Sequence, residues 1–354
     1  MTGSAWFATT PGGLNRYFTD LYNALRAWPD VEVSGVAFGR PEAGGHTWGP
    51  GGGSTLRRAC ASLRDDVALP SAAVIDRHFS LYGRARTSRH GRHPLVVHFH
   101  GPWADESRMM GASEGVARAK YLLERLRYAG ADRFVVLSRH FRDVLMDRYH
   151  VPEKLVRVIP PGVHLSRFQL SDSAAQSSSM VLCVRRLERR MGIDVLLRSW
   201  RAVLAVRPDA HLVVVGTGSQ SRALLAQAAD SGLGRAVTFV GRTDDRQLTV
   251  LYQRAAFTVV PSVALEGFGL IALESLAAGR APIVTDCGGL PDSVRQFDAS
   301  LIVPSGDAEA LADRIVRALE GQVPGTRTCR AHAELFSWEA AASRHVAMYR
   351  ELVS

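Results

Sequence analysis

Two carboxylates eight positions apart, Glu266 and Glu274, have the setting in this 354-residue chain that points most directly to chemistry. Glu266 stands in a loop and is followed by Gly267-Phe268-Gly269. Glu274 lies in the run 270–278, which is otherwise Leu, Ile and Ala nearly all round. A helix of that composition is buried, and a lone carboxylate within it must meet hydrogen-bond donors or carry a heavy desolvation cost. The backbone N–H groups from Gly267, Phe268 and Gly269 to Leu270, with the positive end of the helix dipole, make a seat for a phosphate or a polar sugar. The bland alternative makes Glu266 a solvated loop acid and Glu274 an edge residue.

The elements that position this pair are legible on either side. Phe257–Val260 is a short, apolar, β-branched run of the kind found in buried parallel strands, and Pro261 and Ser262 stop it. Gly279 ends the helix, and Pro282–Thr285 starts a second strand. The stretch 256–294 is therefore one βαβ unit whose loop lies at the carboxyl end of the first strand, where open α/β sheets bind their ligands.

Glu266-Gly267-Phe268-Gly269 followed by Glu274, with Gly288-Gly289-Leu290-Pro291 after the next strand, resembles the EX7E region of retaining glycosyltransferases with the two-domain GT-B fold, in particular the GT4 family. The resemblance implies that Glu266 and the backbone after it hold hydroxyls of a donor sugar, and that Glu274 takes the ribose hydroxyls of its nucleotide.

Composition agrees with a globular enzyme: 46% of residues are hydrophobic and 22% charged, and the length suits two domains. No run approaches the roughly 20 apolar residues of a membrane helix, and the first 16 residues lack a basic start followed by an apolar core. A cytoplasmic location is expected. Cys60, Cys183, Cys287 and Cys329 are scattered, with no C-x-x-C or paired His to suggest zinc, and read as reduced, packed thiols. The net charge of +9 is carried almost wholly by Arg, since Lys occurs only at 120 and 154. A basic surface can meet nucleic acid, an anionic membrane or a phosphorylated substrate, and no nucleic-acid module motif accompanies it.

In the first half, Thr9-Thr10-Pro11-Gly12-Gly13 precedes an amphipathic helix over about 14–27, in which Leu14, Tyr17, Phe18, Leu21, Tyr22 and Leu25 recur at helical spacing, and a strand is expected around 31–38. Gly12 and Gly13 let backbone amides approach a phosphate, and GGLNR is similar to the GGxxR opening of GT4 proteins, a loop that borders donor phosphates and acceptor. The Gly- and Pro-rich segment 41–54 reads as a mobile loop. Arg77, Arg84, Arg86, Arg89 and Arg92 form a basic run, a solvated face that an anionic membrane or acceptor could touch, so a peripheral location at the inner face of the membrane is kept open. The run 94–98 is a strand that leads into His98-Phe99-His100-Gly101-Pro102. Here a His-x-His resembles the family motif whose second histidine touches the donor sugar, which makes His100 the active-site candidate and leaves His98 structural.

Further elements follow at 118–127 (helix), 133–137 (strand), 141–149 (helix capped by Ser138) and 156–159 (strand), and Pro160-Pro161-Gly162-Val163 resembles the family's N-G-V segment with Pro161 in place of Asn. Residues 1–169 are read as the first domain, the Ser-rich 170–179 as the linker, 180–337 as the second domain, and the helix 338–354 as crossing back to the first. After the strand Met180–Val184, Arg185-Arg186-Leu187-Glu188-Arg189-Arg190-Met191-Gly192 is similar to the family's GRLxxxKG segment, in which Arg and Lys grip the diphosphate. Arg186 carries over directly; Arg185 replaces the Gly and Met191 the Lys, so Arg190 is the candidate for the lysine's role. Gly216-Thr217-Gly218 forms a tight turn, and Gly241-Arg242 lies where family members bind the base, largely by backbone.

The expectation is an α/β chain of GT-B fold, two facing Rossmann-like domains with an interdomain cleft. It is read as a retaining, metal-independent hexosyltransferase that uses a UDP- or GDP-linked sugar and a hydroxyl acceptor, in glycan, glycolipid or glycosylated natural-product biosynthesis. No cofactor and no nucleic-acid partner are expected. No Asp-x-Asp occurs, which weighs against a metal-dependent GT-A enzyme. A GT-B-fold sugar-nucleotide epimerase and a non-catalytic nucleotide-sugar-binding protein remain as alternatives. A phosphorylase-like enzyme would need a cofactor lysine in the second domain, and a dinucleotide oxidoreductase a complete G-x-G-x-x-G, which Ser221 interrupts.

Overall fold

The computed structural model describes residues 1–65, 67–84, 87–88, 91–168, 170 and 179–353, with 87 and 88 described in backbone only. The chain divides into two compact units, Met1–Gly162 with Trp338–Ser354, and Val163–Ser337. In the first unit the strands are β1 (Thr2–Ala5), β2 (Val36–Phe38), β3 (His46–Thr47), β4 (Ile75–Arg77), β5 (Thr87–Ser88), β6 (Gly91–Arg92), β7 (Leu95–Phe99), β8 (Arg133–Val136) and β9 (Val156–Val158). Seven of them form a parallel sheet in the order β3-β2-β1-β4-β7-β8-β9, and β5 and β6 make a separate antiparallel pair. All five residues of β7 are buried, as expected of a parallel strand covered on both faces. Helix Gly13–Arg26 buries Tyr17, Phe18, Leu21, Tyr22 and Leu25, the stripe that helical periodicity predicts. Helix Trp338–Val353 packs against it, with the Tyr17 and Trp338 rings 5.6 Å apart.

The second unit holds β10 (Met180–Val184), β11 (His211–Val215), β12 (Val237–Gly241), β13 (Phe257–Val260), β14 (Pro282–Thr285) and β15 (Ile302–Val303), all parallel, in the order β12-β11-β10-β13-β14-β15. The strand order reverses between β10 and β13, so the unit is doubly wound and its topological switch point lies where those two strands end. Its core joins Val181, Cys183, Leu212, Phe257 and Ile283 of the sheet to Leu196, Trp200 and Val203 of helix Ile193–Val206.

Several sequence expectations are corrected. The division between units falls at Gly162–Val163, so 163–168 pack in the second unit rather than the first. The Val163 N–H donates to the Phe336 carbonyl at 2.8 Å, Phe168 stands edge-on to Tyr252, and Arg330 donates to the Phe168 carbonyl at 2.6 Å. Of the linker at 170–179, residues 171–178 lie outside the described residues. The segment 41–54 contributes the edge strand β3, and the His46 carbonyl accepts from the Trp6 indole at 2.9 Å. Cys60 is exposed, whereas Cys183, Cys287 and Cys329 are buried. The basic run at 77–92 is not a single solvated face. Arg77 is 3% exposed and donates to the Arg127 and Arg84 carbonyls at 3.0 and 2.7 Å, and Arg84 pairs with Asp65 at 2.9 Å. Arg92 is exposed, and Arg86 and Arg89 lie outside the described residues. No helix among the described residues is long and apolar enough to cross a membrane.

Candidate functional site

At the switch point of the second unit, the loop that leaves β10 lies directly against the loop that leaves β13. The Val263 N–H donates to the Arg190 carbonyl at 2.9 Å. Gly192 permits this approach: its φ is 68°, and a Cβ there would meet the Pro261 carbonyl oxygen at 1.9 Å. Glu266 is gripped through its backbone as well, because its carbonyl accepts from the Gly289 N–H at 2.8 Å and a Cβ on Gly288 would strike it at 2.3 Å. The Gly288-Gly289 pair read from the sequence thus serves to close the chain over Glu266.

Leu265, just before Glu266, adopts a left-handed φ of 50°, a conformation costing a leucine on the order of 1–2 kcal/mol. Strain of this kind persists only where neighbouring contacts over-determine it. Arg190 supplies one, donating from Nη1 to the Leu265 carbonyl at 2.8 Å. Arg190 therefore stands beside the Glu266 loop, and at least part of its guanidinium is engaged in holding that loop.

The Glu266 carboxylate is largely enclosed, and Arg185 and Ser262 meet it. Arg185 Nη2 donates to Oε2 and to the Ser262 hydroxyl, and Ser262 Oγ donates to the same Oε2 at 3.2 Å. Burial pushes the Glu266 carboxyl up; Arg185, with smaller help from Arg190 and Ser262, outweighs it and holds the group below its ordinary value. Glu266 is an anion near neutral pH and not a solvated loop acid.

Glu274 is 9% exposed on helix Leu270–Ala277, and the Tyr252 hydroxyl donates to its Oε2 at 3.1 Å. Burial and the neighbouring Glu274 raise the Tyr252 phenol far above its usual value, so it remains a donor. The helix itself starts at Gly269 in the left-handed region, with no side-chain cap and no acid in its first turn. Its positive end is thus left to be answered from outside the helix. Phe268 is buried and packs on Phe336, their rings 5.8 Å apart, which orients the backbone between Gly267 and Leu270.

The remaining candidates of this unit are distributed around the same strand ends. Arg186 is exposed at the end of β10, and Arg242 is exposed after the edge strand β12. An unforeseen acid, Glu188, sits in the arginine loop and accepts from the Ser219 N–H at 2.9 Å and hydroxyl at 2.6 Å; these bonds, then Arg186 and Arg190, hold it below the usual carboxylate range. Met191 is 4% exposed in the core of the unit, so the position where the family carries lysine points inward here. Sequence reasoning passed over three side chains that bond to the two glutamates. Tyr252 drew no notice in the sequence as a donor, Ser262 stood only as a strand stop, and Arg185 only as a departure from the family pattern.

In the first unit, Gly12 caps helix Gly13–Arg26 without a side chain and both glycines are exposed; Asn15 ties their loop to β1 by accepting from the Ala5 N–H at 3.3 Å and donating to the Thr10 carbonyl at 2.8 Å. His100 follows β7 and stands edge-on to Tyr17, with ring centroids 5.1 Å apart. Burial drives its pKa well below the ordinary imidazole value, and His98 and His78 push the same way, so His100 is neutral at pH 7. His98 is fully interior, stacked between His78 at 3.8 Å and His345 at 5.3 Å.

His78, His98 and His100 bring a ring nitrogen each within 4.8 Å of one another, the one such group among the described residues. The near-parallel stack of His78 on His98, at 19°, would put an ion shared by both well out of each ring plane, away from the nitrogen lone pairs. Their Nε2 atoms lie instead 3.3 and 3.0 Å from one oxygen of Asp76. Burial works against the charge on Asp76, yet the two imidazoles hold its carboxyl well below the usual range. The cluster is thus built around a carboxylate.

Two doubly wound, all-parallel main sheets, with the Glu-x7-Glu pair at the switch point of the second, define the GT-B class of protein. A family profile described as Glycosyl transferases group 1 matches residues 170–334, and one described as Glycosyltransferase Family 4 matches residues 11–167. The chain belongs to glycosyltransferase family 4. Curated D-inositol 3-phosphate glycosyltransferases of Acidothermus cellulolyticus and Saccharomonospora viridis are 34% and 31% identical over 248 and 257 residues, which cover 64% and 67% of this chain and 54% and 59% of theirs. The chain thus spans little more than half the length of these relatives. Among solved structures, sucrose-phosphate synthase from Thermosynechococcus elongatus matches with a TM-score of 0.77 at 24% identity, over 99% of this chain and 98% of its own. Anabaena Alr3699/HepE in complex with UDP and glucose matches with 0.75 at 16% identity, over 99% and 98%. At these identities the likeness is one of fold.

Proposed function

We propose that the protein is a retaining, metal-independent hexosyltransferase that moves a hexose from a UDP- or GDP-linked donor to an acceptor hydroxyl. The observation that carries this reading is the ionised Glu266, pinned by Arg185 and Ser262 beside a helix start that has no cap or acid of its own. In this reading Glu274 accepts the ribose hydroxyls, and the backbone at Gly241 and Arg242 meets the base. Arg186, Arg190 and the helix start hold the diphosphate, with Gly12 and Gly13 as further backbone donors. Glu266, His100 and the backbone of Gly267, Phe268, Gly269 and Leu270 take the sugar hydroxyls.

The chemistry then follows from charge. As the anomeric C–O bond breaks, its electron pair goes to the diphosphate oxygen, and the cations facing that oxygen stabilise the growing charge. The acceptor hydroxyl attacks from the same face, and its proton passes to the departing phosphate oxygen. In this scheme Glu266 accepts from a sugar hydroxyl through Oε1 while Arg185 and Ser262 hold Oε2, and no covalent step is assigned to it.

The test is a thermal-shift panel of UDP, GDP, TDP and ADP sugars, followed by NMR of the product anomer. A donor at a hundred times its dissociation constant should stabilise by about 2.7 kcal/mol. Inositol 3-phosphate belongs in the acceptor panel, since the curated relatives are named for it. The absence of stabilisation by any nucleotide sugar, or an inverted product, overturns the reading. A donor converted to a different sugar without acceptor turns it toward an epimerase.

His100 gives a separate expectation. Being neutral, it contributes a hydrogen bond rather than a charge, so His100→Ala should slow transfer while leaving nucleoside diphosphate affinity unchanged. Isothermal titration with the diphosphate and an initial-rate assay check this; a wild-type rate would make His100 purely structural.

A further inference from the structure

Arg185 stands where the family segment has glycine, a residue that could make no side-chain contact at all. Here the side chain is 7% exposed, and its terminal nitrogen joins two groups far apart in sequence, the Ser262 hydroxyl and Glu266 Oε2. Its Nε is also buried, without a partner among the described residues. A guanidinium so enclosed is costly unless an anion answers it, and Glu266 is that anion. The pairing spans the switch point, since Arg185 directly follows β10 and Glu266 lies in the loop after β13. Among the described residues, the side-chain donors to Glu266 all meet Oε2, which leaves Oε1 to accept from a ligand.

We propose that Arg185 is a positioning residue that fixes Glu266 in one orientation, with Oε1 presented to a hydroxyl of the donor sugar. This rests on the function proposed above. Arg185 touches the carboxylate and not the sugar, so its loss acts through Glu266. Two consequences separate this from a merely structural role. Without the cation, ionising an enclosed carboxyl becomes harder, so Glu266 stays protonated to higher pH. And a carboxylate released from its clamp samples several orientations, which costs turnover but not nucleotide binding.

The experiment follows the Glu266 carboxyl carbon by NMR in the ligand-free protein, in wild type, Arg185→Ala and Arg185→Lys, with Glu266→Gln to assign the signal. Alongside it, kcat/KM is recorded against pH. For Arg185→Ala we expect the Glu266 titration and the acid limb of kcat/KM both to move to higher pH, kcat to fall on the order of 10²-fold as for a misplaced contact, and nucleoside diphosphate affinity to hold. Arg185→Lys should restore part of both, because it returns the charge without the fork. An unmoved Glu266 titration in Arg185→Ala overturns the proposal, as does a fall in rate equal at every pH. If Arg185→Ala fails to fold, Arg185→Lys and Ser262→Ala carry the test. Each removes one geometric element, and an unchanged Glu266 signal in both is again fatal. The NMR titration needs no turnover, so a shifted Glu266 in a protein that transfers no sugar would show that the function had been misread and not the clamp.

Discussion

Arg190→Ala is expected to lower turnover by about 10²–10³-fold, the scale for losing one preorganised electrostatic donor. A nucleoside diphosphate gains charge as the sugar leaves, so a cation beside it stabilises the transition state more than the bound donor, and the loss should fall on kcat. Met191 supplies no such cation and is enclosed in the core, so replacing it with lysine would bury an ammonium instead of restoring the family's grip. Arg190 has a second task, the bond from Nη1 to the Leu265 carbonyl. Charge and clamp can be separated. Arg190→Gln can still donate to that carbonyl but is neutral, and Arg190→Lys keeps the charge without the planar fork. If charge dominates, Gln is nearly as slow as Ala and Lys recovers part of the rate. A Gln variant at wild-type rate would assign Arg190 to loop geometry alone. A normal Arg190→Ala beside a dead Arg186→Ala would leave the diphosphate to Arg186.

Glu274→Ala is expected to weaken nucleoside diphosphate binding by about 1–3 kcal/mol, roughly 5- to 150-fold in Kd. The variant removes the acceptor proposed for the ribose and also leaves the buried Tyr252 hydroxyl without its partner. The loss should therefore appear with bare UDP or GDP as fully as with the intact donor. Glu274→Gln retains an oxygen for Tyr252 and should fall between. Glu266→Ala should do the opposite, slowing turnover while diphosphate affinity persists. Calorimetry with the free diphosphate decides the matter: unchanged affinity in Glu274→Ala removes the ribose assignment, and equal losses in both variants mean that the two roles were wrongly divided.

The second unit was the more legible half because its signals are local and redundant. A β-branched run ended by Pro261-Ser262, a helix stopped by Gly279 and a second run from Pro282 each occupy a few consecutive residues, and β13, helix Leu270–Ala277 and β14 follow them closely. In the first unit the strand Ile75–Arg77 went unread, because its three residues include Asp76 and Arg77 and show no apolar pattern. Both are buried polar residues whose partners include His98 and the Arg127 carbonyl, more than 20 residues away, beside the nearer His78 and the Arg84 carbonyl. A run of arginines consequently looked like a solvated face.

The amino-acid sequence by itself determined the kind of protein and the two carboxylates, because strand, loop, Gly-Phe-Gly and buried helix follow one another along the chain. It also required a donor for Glu274, since an anion in an apolar helix cannot go unanswered. Only the tertiary structure decided that the donor is Tyr252, that Arg190 holds the strained Leu265, and that Arg185 clamps Glu266 from 81 residues away. The reason is the strand order: two strands far apart in the chain, β10 and β13, become neighbours when the winding reverses. Their end loops can share one carboxylate only after the sheet has formed.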